Sequence, residues 1–231
     1  MPVAIVTGAS RGFGRALAHA LAADGWSLVL DARGADALAA TAAELSPNAR
    51  VVAIAGNVSD ASHRDALVAA AERLGGVDLL VNNASGLGPS PLPALADYPL
   101  DALTTLYDTN VVAPLALVQR ALPRLRVRHG TIVNITSDAA VEPYAGWGGY
   151  GSTKAALEQL GNVLGAEEPN VHVYTFDPGD MRTQMHQDAF PGEDISDRPE
   201  PESVVPAFMR LVHDAPPSGR FRVGDLAEAS R

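Results

Sequence analysis

Short, almost wholly apolar runs recur along the chain at Val3–Val6, Ser27–Leu30, Val51–Ala55, Asp78–Val81, Thr131–Ile135 and Val171–Phe176. They are rich in β-branched residues and too short for helices, so they predict strands. Between them lie Ala- and Leu-rich stretches with helical periodicity, which predict helices over 13–24, 34–45, 60–74, 98–128 and 150–166. Strands without a polar face belong to a parallel sheet covered on both sides, so the alternation predicts a doubly wound α/β architecture. No linker, repeat or low-complexity tract interrupts it, and one domain over residues 1–231 is the expectation.

Two segments break the rhythm. Gly86-Leu87-Gly88-Pro89-Ser90-Pro91-Leu92-Pro93 follows the fourth strand and can be neither helix nor central strand. Residues 184–202, with Phe190-Pro191-Gly192 and Arg198-Pro199-Glu200-Pro201, form a long irregular insert after the sixth. Ligands of parallel sheets sit beyond the carboxyl ends of the strands, so this insert is expected to cover a pocket.

The remaining composition narrows the function classes. With no cysteine, the chain has no disulfide, thiolate metal site or cysteine nucleophile. A formal net charge of -10 argues against a nucleic-acid or anionic-membrane binder. Neither a signal-like start nor a membrane-length apolar run is present, so a cytoplasmic protein is expected. The six histidines show no ligand spacing, so no metal is expected; His186 reads as a solvated loop residue. Arg120, Arg124, Arg126 and Arg128 cluster late in the fifth helix, where cations suit a helix C-terminus; docking of an acidic carrier is the weaker alternative. Among the 17 basic residues, sixteen are arginine and one, Lys154, is lysine.

The first strand runs into Thr7-Gly8-Ala9-Ser10-Arg11-Gly12-Phe13-Gly14 and then a helix. Glycines here allow a tight turn and close approach of a pyrophosphate to free N–H groups at the helix start. Tyr150 and Lys154, four apart on a helix, leave the same face, where an ammonium would bring the phenol's pKa down toward neutrality. Lysine's compact head suits this task better than a planar guanidinium does.

The T-G-x-x-x-G-x-G spacing resembles the fingerprint of the short-chain dehydrogenase/reductase family. The resemblance extends through Asn82-Asn83-Ala84, Asn110, Ser137, Tyr150-Gly151-Ser152-Thr153-Lys154, and Asp177-Pro178-Gly179 with Thr183, in family order. It implies a Rossmann-type fold and an oxidoreductase interconverting a ketone or aldehyde and an alcohol by hydride transfer. By the same resemblance Tyr150 is the general acid/base, Lys154 tunes it and holds the nicotinamide ribose, Ser137 bonds the reacting oxygen, and Asn110 supports a water-linked proton relay. Gly8, Ser10, Arg11, Gly12, Phe13, Gly14, Arg33, Asn57, Val58, Asn83, Ala84, Pro178, Gly179 and Thr183 join Tyr150 and Lys154 as the implied coenzyme contacts. A small-molecule carbonyl or alcohol is the implied partner. Ser137, Tyr144, Trp147, Tyr150, Met181, Met185 and the insert are expected to surround it, and the resemblance implies a homodimer that pairs helices 98–128 and 150–166. Arg220-Phe221-Arg222 reads as a spare version of the family's last strand.

Coenzyme choice can be read two ways. Asp31 lies about twenty residues beyond the glycines, where an acid bonding a ribose hydroxyl selects NAD(H). The resemblance instead puts Ala32 at the selecting position, followed by Arg33 and faced by Arg11, which favours NADP(H). A simple pairing of Asp31 with Arg33 is the alternative that counts against this choice. A non-catalytic dinucleotide-binding sensor is the alternative function, and lyase or dehalogenase chemistry a third; the joint presence of Ser137, Tyr150 and Lys154 argues against both.

Overall fold

In the computed structural model, which describes residues 1–47 and 49–226, the apolar runs become neighbouring strands of one parallel sheet. The last five residues of the expected domain lie outside the described residues. The strands are β1 (Val3–Val6), β2 (Ser27–Ala32), β3 (Val51–Ala55), β4 (Leu79–Asn82), β5 (Thr131–Ile135), β6 (His172–Asp177) and β7 (Gly219–Arg222), in the order β3-β2-β1-β4-β5-β6-β7. The helices are α1 (Gly12–Ala23), α2 (Ala35–Leu45), α3 (Ala61–Leu74), α4 (Leu100–Tyr107), α5 (Ala113–Arg128), α6 (Gly148–Glu167), α7 (Gln184–Ala189) and α8 (Val205–Asp214).

The two-residue period of the strands divides the core. Ala4, Val6, Leu28, Leu30, Val133 and Phe176 face α1, α2 and α8, while Val3, Ile5, Val29, Ile132 and Val173 face α3 and α5. Both faces are sealed over the central strands β1, β2, β4 and β5, which is why their runs are almost wholly apolar, while β3 and β7 at the edges stay partly exposed. Chain order reverses between β1 and β4, so the carboxyl ends of those strands border the crevice where ligands of such sheets collect.

Several elements differ from expectation. The helix expected over 98–128 is two helices joined by a π turn, Asp108–Val112. The insert at 184–202 is partly helical, through α7, and α8 escaped sequence reading. Strand β2 continues through Asp31 and Ala32, which pair with Ile54 and Ala55 of β3. The late arginines meet chain acids: Arg124 with Glu72 at 2.9 Å, Arg126 with Glu168 at 2.5 Å, Arg128 with Asp78 at 2.9 Å, and Arg120 with Asp65. Among the described residues, no helix is long and apolar enough to cross a membrane.

Candidate active site and coenzyme crevice

Thr7 and Asn83 lock the glycine turn to the end of β4. The Thr7 hydroxyl donates to the Val81 carbonyl at 3.2 Å and accepts from the Asn83 and Ala84 amides, each at 3.0 Å. The Asn83 side-chain amide donates to the carbonyls of Thr7 (2.8 Å) and Gly8 (3.2 Å). Gly8 and Gly12 take left-handed φ values of 67° and 53°, which glycine adopts without a Cβ penalty. Helix α1 then starts with no side-chain cap and no acid in its first turn, so its N–H groups stay open to an anion. A Cβ on Gly12 would come within 3.4 Å of the Thr183 methyl, which places Thr183 across the turn. The Thr183 hydroxyl caps α7, accepting from the His186 amide at 3.2 Å. Pro178 and Gly179 form the bend before it, with the Gly179 amide donating to Asp177 Oδ1 at 3.0 Å. Ser10 is half-buried at the turn. Phe13 points away from it: its ring stacks on Phe176 and meets Phe208 edge-on, both 6.2 Å between centroids, so only its backbone faces the crevice.

At the end of β2 the alternative Asp31–Arg33 pair does not form; another takes its place. Asp31 is buried and lies 2.6 Å from His63 Nε2, a partner 32 residues away on α3. Burial raises the Asp31 carboxyl from its ordinary value, while His63 and the Gly8 amide act the other way. Arg11 and Arg33 are exposed and make no ion pair among the described residues. Beyond β3, Asn57 Oδ1 accepts from the Ser59 amide at 3.0 Å, and Val58 is buried with its carbonyl taking Arg64 Nη1 at 2.7 Å.

Tyr150 and Lys154 rise from α6 against the turn that follows β5. Ser137 begins that turn; its hydroxyl donates to Asp138 Oδ1 at 3.0 Å and accepts from the Ala139 amide at 3.2 Å. Gly151 makes the close packing possible, because a Cβ there would stand 2.3 Å from the Ala139 carbonyl oxygen. Lys154 is buried, donates to the Ile135 carbonyl at 2.8 Å and lies 5.4 Å from the Tyr150 ring centroid. Asn110 sits in the π turn, a geometry often found at functional sites. Its side chain bonds Gly86 N (2.8 Å), Gly86 O (2.9 Å), the Ser85 hydroxyl (3.2 Å) and Thr153 Oγ1 (3.0 Å). Asn110 therefore ties the loop after β4 to α6; no direct bond joins it to Lys154. Thr153 carried no signal of its own beyond its place between Tyr150 and Lys154.

Burial drives the Tyr150 phenol far above its ordinary range; the charges of Asp177 and Asp138 push the same way, and the Ser85 hydroxyl opposes them. The lowering expected from Lys154 is not seen; burial of the phenol dominates. Burial also lowers the Lys154 ammonium to about 8, against the pull of the Glu158 carboxylate. The folded chain thus releases this proton before the unfolded chain does, so stability is expected to rise with pH between about 8 and 10.5. Melting curves across that window check this: the native chain should gain on a Lys154→Met variant as pH rises.

An apolar patch flanks the phenol. Leu87, Ala139 and Ala189 are buried with Tyr150, and Leu92, Trp147, Met185 and Phe190 pack against them. Trp147 meets Tyr150 edge-on at 5.7 Å and lies tilted to Phe190 at 5.9 Å. The Ser90 hydroxyl donates to the Asp188 carbonyl at 2.6 Å and so joins the two irregular segments. Tyr144 is half exposed and donates to Asp138 Oδ2 at 2.9 Å. Met181 packs instead against the main core. His186 is not solvated as expected: its side chain is 9% exposed and its ring lies 4.9 Å from Phe190.

A family model described as short chain dehydrogenase matches residues 2–194. The chain belongs to that family. A serine 3-dehydrogenase of Agrobacterium fabrum is 36% identical over 186 residues, covering 78% of this chain and 72% of that protein. A sepiapterin reductase of Meriones unguiculatus is 39% identical over 199 residues, covering 80% and 76%. Among solved structures, an alcohol dehydrogenase from the archaeon Thermococcus sibiricus complexed with 5-hydroxy-NADP superposes with a TM-score of 0.87 at 29% identity, covering 96% of this chain and 95% of that one. This member of the short-chain dehydrogenase family is an oxidoreductase acting on CH–OH or C=O groups with a nicotinamide dinucleotide. The open helix start, the glycine turn and the exposed arginines fit such a coenzyme.

Proposed function

We propose that the chain is an NADP(H)-dependent enzyme that interconverts an apolar ketone or aldehyde and its alcohol, with Tyr150 as general acid/base. The observation that carries this reading is the burial of Tyr150 and Lys154 together on one face of α6, opposite Ser137 and beside the apolar patch. A buried, protonated phenol is a proton donor ready for a carbonyl oxygen that gains charge. In the reducing direction Tyr150 gives its proton to that oxygen and recovers one from solvent. Ser137 turns its hydroxyl from Asp138 to the same oxygen, and Lys154 holds the ribose side of the site. A nicotinamide coenzyme, when bound, would supply the hydride, so that a C–H and an O–H bond replace the π bond of the carbonyl while its C–O single bond remains. Gly8, Ser10, Arg11, Gly12, Gly14, Asn83, Ala84, Pro178, Gly179 and Thr183 would hold the coenzyme, with Asn57 and Val58 toward its adenine.

The preference for NADP(H) rests on Asp31. Its carboxylate is committed to His63 and buried at 2% exposure, so it offers a ribose hydroxyl little. Exposed Arg33 and Arg11 suit a 2′-phosphate. Replacing Arg33 with alanine is expected to weaken NADPH use by about tenfold or more, the worth of one charge-assisted bond, and to leave NADH unaffected. The ratio of kcat/KM for the two coenzymes measures this; an unchanged ratio would remove Arg33 from the role. The reaction class is tested by following NADPH consumption across a panel of aldehydes and ketones, and NADP+ reduction across the matching alcohols. No turnover with any member would overturn it. Exposed Leu100, Val112 and Val163, at 76%, 53% and 43%, support a homodimer pairing through α4, the π turn and α6.

A further inference from the structure

The spare last strand carries an arginine that reaches back beneath the proposed catalytic helix. Arg220 Nε donates to Glu158 Oε1 at 3.0 Å, and Arg220 Nη2 donates to Asp177 Oδ2 at 2.8 Å. Both acids are enclosed: Glu158 and Asp177 are 8% and 4% exposed. Glu158 lies one helical turn beyond Lys154 and takes the Thr136 hydroxyl at 2.6 Å, while Asp177 precedes the Pro178-Gly179 bend. Two enclosed carboxylates that near a buried ammonium and a buried phenol need a counter-charge.

We propose that Arg220 is a positioning residue for the Lys154–Tyr150 pair, clamping Glu158 and Asp177 together and cancelling their charge so that the pair exchanges protons in the working pH range. This rests on the acid/base reading above and extends it to β7, the strand that carries Arg220. The groups facing the pair bear out the need for balance. From α6 comes Glu158, from β6 Asp177, from the turn after β5 Asp138, and from the loop after β4 the Ser85 hydroxyl. From β7 come Arg220 and, at 3.9 Å from Asp177, Arg222. Arg220 is the cation that bonds both carboxylates directly. Burial works to lower its own pKa, but Glu158 and Asp177 outweigh that and raise it, so it stays charged throughout. Without it, net negative charge would favour the Lys154 ammonium and oppose a Tyr150 phenolate, moving both titrations upward.

Lys154 is the one lysine in the chain, so its labelled side-chain nitrogen gives one NMR resonance and its titration can be followed with neither coenzyme nor substrate. In Arg220→Met the midpoint is expected to rise by about one unit, and Arg220→Lys should restore most of the shift. Glu158→Gln removes one carboxylate and should move it down; this variant keeps the test open if Arg220→Met fails to fold. The pH profile of benzaldehyde reduction with NADPH should move in the same directions. Midpoints unmoved in both Arg220→Met and Glu158→Gln would overturn the proposal and leave Arg220 a packing residue. Tyr150→Phe run alongside separates the two claims. Turnover kept there overturns the acid/base reading itself, and turnover lost there with unmoved Lys154 midpoints overturns only the role of Arg220.

Discussion

Tyr150→Phe is expected to lower carbonyl reduction by about 10²–10⁴-fold, the usual worth of a positioned proton donor. Coenzyme affinity should change only a few-fold. Phenylalanine fills the same space against Trp147, Leu87 and Ala139, so the apolar patch and the packing of α6 on the Ser137 turn survive. What is lost is the phenolic proton, the group that burial holds protonated in the native chain. A drop in kcat with coenzyme binding kept therefore separates proton donation from structural support. The pH profile gives a second check, since the alkaline limb set by the Tyr150–Lys154 pair should flatten in the variant. Comparable kcat in both proteins would rule out Tyr150 as the acid. Stopped-flow transfer from NADPH, with coenzyme affinity from fluorescence titration, reports both quantities.

The parts of this molecule that could be read from the chain are those whose meaning is local. Each apolar run declares a strand because both faces are buried, and the Thr7–Gly14 turn declares itself by its place between a strand and a helix. Tyr150 and Lys154 share a face by spacing alone. What escaped reading depends on partners distant in sequence. Asp31 looked like a polar strand end, yet β2 runs through it because His63 on α3 receives the carboxylate. Phe13 sits inside a ligand motif, but Phe176 and Phe208 claim its ring for the core. His186 lies in a loop-like segment, and besides its helix neighbour Phe190 it is reached by Arg198 Nε at 3.4 Å, twelve residues on. Arg220 was visible as a residue, but its role appears only when β7 is laid beside β6. The π turn at Asp108–Val112 had no local cue either: a helical periodicity continues across it, and the break shows only in the Asn110 bonds to Gly86 and Thr153.

Gly14→Ala should produce the largest effect on coenzyme binding. The new methyl carbon would stand 2.4 Å from both Asn83 Nδ2 and the Gly8 carbonyl oxygen. One of these is backbone of the turn itself, and the other is the amide that bonds Thr7 and Gly8 from β4. Neither can yield by turning a flexible side chain, so α1 must move off the turn and carry its open N–H groups with it. Affinity for NADPH is expected to fall by about a hundredfold or more, because the phosphate-facing amides act together and lose alignment together. Overpacking also lowers stability by about 1–3 kcal/mol. Gly224→Ala is the matched control: no atom lies within 4 Å of its added carbon, so folding and binding should stay as in the native chain. Fluorescence titration with NADPH and thermal denaturation of the two variants measure the contrast. If Gly14→Ala bound NADPH as tightly as Gly224→Ala, the turn would not be the phosphate site.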